Sequence, residues 1–275
     1  MCLAIIAANV ITDWPLVVIA NRDELHNRPT LPAAPWTDAP EILGGRDLRA
    51  GGTWLGVTAQ GRMALLTNYR EPGQNNPLAP SRGQLTDRFL RGEKLAMNFA
   101  QELQLTAAAY NGFNLLLADS SGTWFVSNRA GVKAQQVKAG VVGISNASLN
   151  TPWPKLTRTQ QAVSEYLALK KDKTSLEPEF FFEIMQDTRT ASIEELPDTG
   201  VGPERERLLG SPFIKDERYG TRCTTLIMKR SDGMMFFQEK CFDSHGLQSC
   251  ESRWTINTVK QSIVPGTADI IKILC

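Results

Sequence analysis

Short apolar runs come in pairs along this sequence, each pair split by a few turn-forming residues, and that pattern restricts the fold more than any other feature. Residues 3–11 and 16–20, rich in Ile and Val, flank Thr12-Asp13-Trp14-Pro15. Asp and Pro supply turn chemistry there, so the spacing predicts a β-hairpin. The same logic predicts a second hairpin from residues 54–58 and 63–68 around Ala59-Gln60-Gly61-Arg62, and a third from 113–118 and 123–127 around Asp119-Ser120-Ser121-Gly122. Residues 135–144 continue as an extended stretch bent at Gly140. The C-terminal third returns to strands over 221–229 and 234–242, around Ser231-Asp232-Gly233, and then over 253–259.

A helical block lies between these sets of hairpins. Leu85, Phe89, Leu95 and Phe99 fall at helical spacing over 81–91 and 93–103, with Ser81 as N-cap. Over 155–171 the side chains of Leu156, Val163, Tyr166 and Leu167 share a face, and Pro178 opens a helix carrying Phe181, Phe182 and Met185. Residues 190–212 hold Gly and Pro with few apolar side chains. A loop of that length is expected to be mobile and to border the functional pocket, with residues 204–207 as a charged rim. Regular βαβ alternation is missing, which argues against a Rossmann or barrel architecture. The expectation is one α+β domain over 1–275, an antiparallel sandwich of two sheets with helices outside.

A formal net charge of +1 lacks the electrostatic footprint of a nucleic-acid binder. The tight basic run Lys170, Lys171, Lys173 reads as a solvated helix end. The five cysteines, at 2, 223, 241, 250 and 275, are odd in number and form no CxxC pair. They fit neither a disulfide framework nor a Cys-rich zinc site, and a reducing, cytoplasmic setting is the simplest expectation. Residues 3–11 lack the basic flank and cleavage site of a signal peptide, and no apolar run reaches the ~20 residues of a membrane span. Two histidines, His26 and His245, exclude a three-histidine metal site.

The first hairpin carries the functional argument. If its turn is centred near Asp13, antiparallel pairing sets Cys2 opposite residue 23 or 24, within a couple of positions. The thiol then meets Asn21-Arg22-Asp23-Glu24. Arg22 is expected to lower the thiol pKa from about 8.5. Asp23 or Glu24 is expected to hold the α-ammonium of Cys2 once Met1 is removed, an amine with a pKa of roughly 7.7–8.0 and able to act as base to its own side chain. Adjacent strand residues face opposite ways, so either Arg22 or Asp23 points away from Cys2, with Glu24 on Arg22's face. Two plainer readings stand beside this one: Cys2 as a small core residue, and Arg22 in a structural ion pair with Asp23 or Glu24. Trp54 reads as core or pocket wall, and Gly44-Gly45 and Gly51-Gly52 as tight turns or close backbone approach rather than a phosphate cradle.

Met1-Cys2, Asn21-Arg22-Asp23-Glu24, Gly51-Gly52-Thr53-Trp54-Leu55-Gly56, Thr67-Asn68-Tyr69-Arg70, Ser145-Asn146 with Pro152-Trp153-Pro154-Lys155, and Tyr219-Gly220-Thr221-Arg222 run in order over nearly the whole chain. In these motifs the sequence resembles the NRDE family, also called transport and Golgi organisation 2. The resemblance implies an αββα four-layer sandwich similar to the N-terminal nucleophile hydrolases. The pattern of the cholylglycine-hydrolase branch carries over to Cys2, Arg22, Asp23, Asn68, Asn146 and Arg222, with Asn68 and Asn146 as oxyanion-hole donors. Asn21, Glu24, His26, Trp54, Tyr69 and Arg70 are the expected binding residues, His26 also as an axial ligand if haem binds. Two functions follow from the resemblance. One is an amidohydrolase or acyltransferase acting on an acyl amide or thioester, with no cofactor required and no metal. The other is a carrier for haem trafficking or acyl-thioester and lipid metabolism that uses the same pocket without turnover. The partner is thus a small acyl substrate or haem, and the sequence leaves the oligomeric state open.

Overall fold

A computed structural model describes residues 2–129, 133–170 and 175–266. Met1, Lys171, Lys173 and Cys275 lie outside the described residues. The first hairpin forms from β1 (Cys2–Ile11) and β2 (Trp14–Leu25), which turn at Thr12-Asp13. β2 runs beyond its apolar stretch, so Asn21 to Glu24 are strand residues.

Next come β3 (Thr30–Trp36) and β4 (Ala39–Asp47), which the apolar pattern does not predict. Pro32 and Pro35 hide β3, and it is the edge strand of its sheet, where a missing N–H is tolerated. The second hairpin is β5 (Leu55–Thr58) and β6 (Met63–Asn68), and the third is β7 (Phe113–Asp119) and β8 (Gly122–Ser127). Between them α1 (Gly83–Arg91) starts after Ser81, with Arg82 at its N-cap, and α2 (Ala96–Thr106) starts three residues later than its periodicity suggests. The extended stretch 135–144 divides into β9 (Gln135–Gln136) and β10 (Gly140–Ile144), which join different sheets.

The remaining elements are α3 (Pro154–Leu169), α4 (Pro178–Met185), α5 (Pro203–Leu208), β11 (Tyr219–Lys229), β12 (Met234–Phe242), β13 (Gln248–Asn257) and β14 (Ser262–Pro265). Two seven-stranded sheets result, ordered β10-β1-β2-β11-β12-β13-β14 and β3-β4-β5-β6-β7-β8-β9, with every pairing antiparallel. Ala4, Ile6, Val18 and Ile227 of the first sheet meet Leu43, Leu65, Leu116 and Phe125 of the second in the inter-sheet core. Ile5 and Ile19 pack outward against Leu156, Phe181 and Phe182 of α3 and α4, and Ile42 and Leu115 against Leu85, Phe89 and Leu103 of α1 and α2. This is the expected αββα layering.

Two expectations need correction. Within 190–212 lies α5, and Glu206, 5% exposed, accepts a hydrogen bond from Arg70 Nη1 at 2.7 Å. Glu206 therefore faces inward and is no part of a charged rim. The cysteines do include a disulfide, Cys241–Cys250, because β12 and β13 set these residues directly opposite, with a Cα–Cα distance of 4.9 Å. Among the described residues no helix is long and apolar enough to cross a membrane.

Candidate active site

A register shift in the first hairpin decides what Cys2 faces. Next to the turn Ile11 pairs with Trp14, and that register continued would set Cys2 opposite Asp23. Between Ala8 and Ile11 the pairing shifts by one, with Asn9 at φ 51°, and Cys2 meets Arg22 instead. Directly paired residues share a face, so Cys2 and Arg22 point with Ala4 and Ala20 into the space between the sheets.

Alternation turns Asn21 and Asp23 to the helix side. Asn21 donates to Met185 O at 2.8 Å and Pro212 O at 2.9 Å and accepts from Thr224 Oγ1 at 2.6 Å, so it ties β2 to the helical layer. Asp23 accepts from Thr221 Oγ1 at 2.7 Å.

Arg22 is 5% exposed, with its guanidinium carbon 4.1 Å from the centre of the Trp54 ring, and it donates to Thr30 Oγ1 at 3.3 Å. Among the described residues no carboxylate lies within ion-pair distance of it. The structural pair is elsewhere: Arg28 donates to Asp47 Oδ2 at 2.8 Å, with Glu24 Oε2 at 3.8 Å. Arg82 donates to Gly112 O at 3.0 Å and, like Arg22, has no ion pair among the described residues. A solvent-open cleft of about 130 Å³ is lined by Cys2, Arg22, Asp23, Glu24, Arg28, Asp47, Trp54, Asn68 and Arg82. Three arginines and three acids line the cleft, so its formal charges balance, and Arg22 and Arg82 are the two lining cations without an ion pair among the described residues.

Two glycines allow close approaches around the cleft. A Cβ on Gly52 would lie 2.3 Å from Gly83 O, where the loop after β4 touches the start of α1. A Cβ on Gly45 would lie 2.2 Å from the Trp54 ring, so Gly45 is the seat of the indole. Both are the close approaches expected of these glycine pairs.

The two asparagines differ in placement. Asn68, at the end of β6, lines the cleft with Cys2. Asn146 is fully buried and donates through Nδ2 to Asn68 O at 2.8 Å. Its neighbour Ser145 donates to Cys2 O at 3.1 Å. Asn146 thus braces the end of β6 from behind.

The electrostatics correct one expectation. Burial pushes the Cys2 thiol up and outweighs the lowering effects of the chain-terminal ammonium and, less strongly, of Arg22, while Asp23 adds to the rise. Burial also pushes the Asp23 carboxyl up, against the pull of the Lys155 ammonium. Lys155, 2% exposed and donating to Leu209 O at 2.8 Å, is brought down by burial from 10.5 to about 8.

That depression has a consequence for stability. Between pH ~8 and ~10.5 the unfolded chain holds a proton on Lys155 that the folded chain has lost, so this residue's destabilising contribution fades as pH rises through that window. The full effect is at most ~3 kcal/mol. Lys155→Met is expected to flatten the rise in urea midpoint between pH 7.5 and 10 relative to the parent. Parallel profiles for the two proteins would show that the ammonium is not destabilised by its site.

The other expected site residues lie apart from the Cys2 cleft. His26 Nε2 is 3.1 Å from Asp216 O, so neither histidine lines the cleft. Arg70 turns to Glu206, and Tyr69 bonds through its backbone N–H to Gly112 O. Arg222, at the β11 register shift, donates to Leu25 O at 2.8 Å and Arg28 O at 3.2 Å and lines a second cleft rather than that of Cys2. Residues 190–212 do not line the Cys2 cleft either. Sequence reasoning missed Arg28, Asp47 and Arg82. Only Arg28, next to the Asn21–Glu24 run, carried a local signal.

Comparison with known proteins adds to this geometry. A family model described as Transport and Golgi organisation 2 matches residues 1–244. The Transport and Golgi organization 2 homolog of Mus musculus is 32% identical over 264 residues, covering 89% of this chain and 91% of that protein. Transport and Golgi organization protein 2 of Drosophila melanogaster is 26% identical over 271 residues, covering 85% and 89%. Among solved structures, a Caenorhabditis elegans N-acylethanolamine-hydrolyzing acid amidase ortholog aligns with a TM-score of 0.46 at 11% identity, covering 82% of this chain and 92% of that one. A C2A mutant of the conjugated bile acid hydrolase from Clostridium perfringens aligns with a TM-score of 0.42 at 9% identity, covering 97% of each chain.

Proposed function

This chain belongs to the Transport and Golgi organisation 2 family, and we propose that its Cys2 cleft hydrolyses or transfers the acyl group of a small, anionic acyl amide or thioester. One observation carries the reading: Cys2, at the head of β1, opens into a cleft directly opposite Arg22, a buried cation with no carboxylate partner among the described residues.

In this mechanism Cys2 Sγ attacks the carbonyl carbon, the C–N or C–S bond breaks, and water or a second acceptor releases the acyl group. Because burial favours the protonated thiol, attack needs a base. The α-amine of Cys2, freed by removal of Met1, is the group suited to take the thiol proton and pass it to the leaving group. Asp23 is the carboxylate suited to hold that amine. Asn68 supplies a side-chain N–H to the oxyanion, with Asn146 holding its strand end in place. Arg22 and Arg82 bind the substrate's anionic group.

Two measurements test this. Intact-mass analysis of untagged protein is expected to find a chain beginning at Cys2, and full retention of Met1 would remove the self-activating base. Iodoacetamide is expected to label Cys2 several-fold faster than Cys223. Cys2 is half-buried in an open cleft, whereas Cys223 is buried with its thiol pushed well above the ordinary range by burial and then by Glu239. Equal rates would mark Cys2 as a structural residue.

A further inference from the structure

One row of directly paired residues crosses five strands of the first sheet: Cys2 on β1, Arg22 on β2, Cys223 on β11, Cys241 on β12 and Cys250 on β13. Directly opposed residues on antiparallel strands share a face, with Cα atoms roughly 4.5–5.5 Å apart. That is the separation a disulfide spans. Cys241 and Cys250 are bonded, and Cys223 stands as a free thiol on the other side of Cys241.

All three line a second cleft of about 190 Å³, together with Glu239 and Arg222. Arg22 and Trp54 line this cleft as well as the Cys2 cleft. Cys241 and Cys250 are half-buried at the sheet end, within reach of solvent, while Cys223 is 4% exposed. Glu239, 1% exposed, accepts from Ala33 N at 2.7 Å and Thr225 Oγ1 at 2.9 Å, and its carboxylate stands beside the Cys223 thiol.

We propose that Cys223, Cys241 and Cys250 form a thiol–disulfide exchange site in the second cleft, with Cys241 shared between two alternative disulfides. In the exchange, the Cys223 proton passes to Glu239 and the thiolate attacks Cys241 Sγ. The Cys223–Cys241 bond forms, the Cys241–Cys250 bond breaks, and Cys250 leaves as a thiolate that takes a proton from solvent. No electrons are gained or lost, so the step needs no oxidant or reductant. Cys223 lies one strand away from Cys241 and two from Cys250, which makes Cys241 the shared partner. Exchange moves the free thiol from the buried end of the row to the half-buried one, where a thiol- or disulfide-bearing ligand entering the cleft can meet it. Burial and then Glu239 push the Cys223 thiol up, so a second route, in which hydroxide from solvent removes the proton in place of Glu239, quickens the exchange as pH rises.

Full-length protein incubated at pH 9 with iodoacetamide, then digested without reduction, tests this directly. The expected result is a Cys223–Cys241 peptide appearing together with alkylated Cys250, roughly tenfold faster than at pH 7. Glu239→Gln is expected to slow its appearance at pH 7 by tenfold or more. In Cys250→Ser, oxidised glutathione is expected to drive most molecules to the Cys223–Cys241 disulfide. Cys241 first takes up glutathione, and Cys223 then displaces it as the reduced thiol. Persistence of Cys241–Cys250 at pH 9, with alkylation confined to Cys223 among these three, would overturn the proposal. So would a glutathionylated Cys241 in Cys250→Ser that Cys223 never resolves.

Discussion

Cys2→Ala is expected to lower kcat on the best substrate from an acyl amide and thioester panel by roughly 10⁴–10⁶, the range seen when a nucleophile is removed and only binding and oxyanion contacts remain. The affinity for a non-hydrolysed anionic analogue is expected to change by less than about threefold, because Arg22 and Arg82 are untouched and burial favours the neutral form of the deleted thiol. The split matters, since an enzyme and a carrier ask different things of the same cleft. Isothermal titration of analogue and haem beside the activity panel, on one preparation, separates them. Stoichiometric binding of haem or an acyl thioester with no turnover, unaffected by Cys2→Ala and lost on Arg22→Ala, would replace the enzyme with a carrier.

Asn68→Ala is expected to cost roughly 10²–10³ in kcat with a smaller change in KM, the mark of a donor whose hydrogen bond strengthens in the transition state. Asn146→Ala makes an informative contrast. Its Nδ2 donates to the Asn68 carbonyl and its side chain is sealed from solvent, so truncation leaves a buried acceptor without that partner and is expected to destabilise the fold by about 1–3 kcal/mol. Melting temperatures and kinetics measured together distinguish the two residues. A fall in kcat for Asn146→Ala equal to that of Asn68→Ala, without loss of stability, would show that Asn146 itself reaches the oxyanion.

The hairpins were legible because apolar runs and turn residues are local signals, and the encounter of Cys2 with the Asn21–Glu24 run followed from hairpin geometry alone. What escaped depends on contacts made across the sheets. The two-against-one step at Asn9 and Val10 changed the opposed residue from Asp23 to Arg22, and no propensity marks such a step. The prolines of β3 masked a strand that only its edge position permits. Arg82 enters the cleft because Gly52 and Gly83 meet, a contact between segments thirty residues apart. The direction of the Cys2 shift was misjudged because Arg22 is visible in the sequence and burial is not. The disulfide likewise depends on the β12–β13 register rather than on a cysteine motif.

The indole seated on Gly45 and the guanidinium stacked on it line both the Cys2 cleft and the one lined by Cys223. With the acyl substrate proposed above, this shared pair would act as a molecular ruler that stops the chain at a fixed distance from the thiol. Chain-length selectivity would then be set by a single side chain. Trp54→Ala would make the two clefts one continuous passage, admitting acyl groups several carbons longer and exposing the cysteine row to whatever the nucleophile has just released.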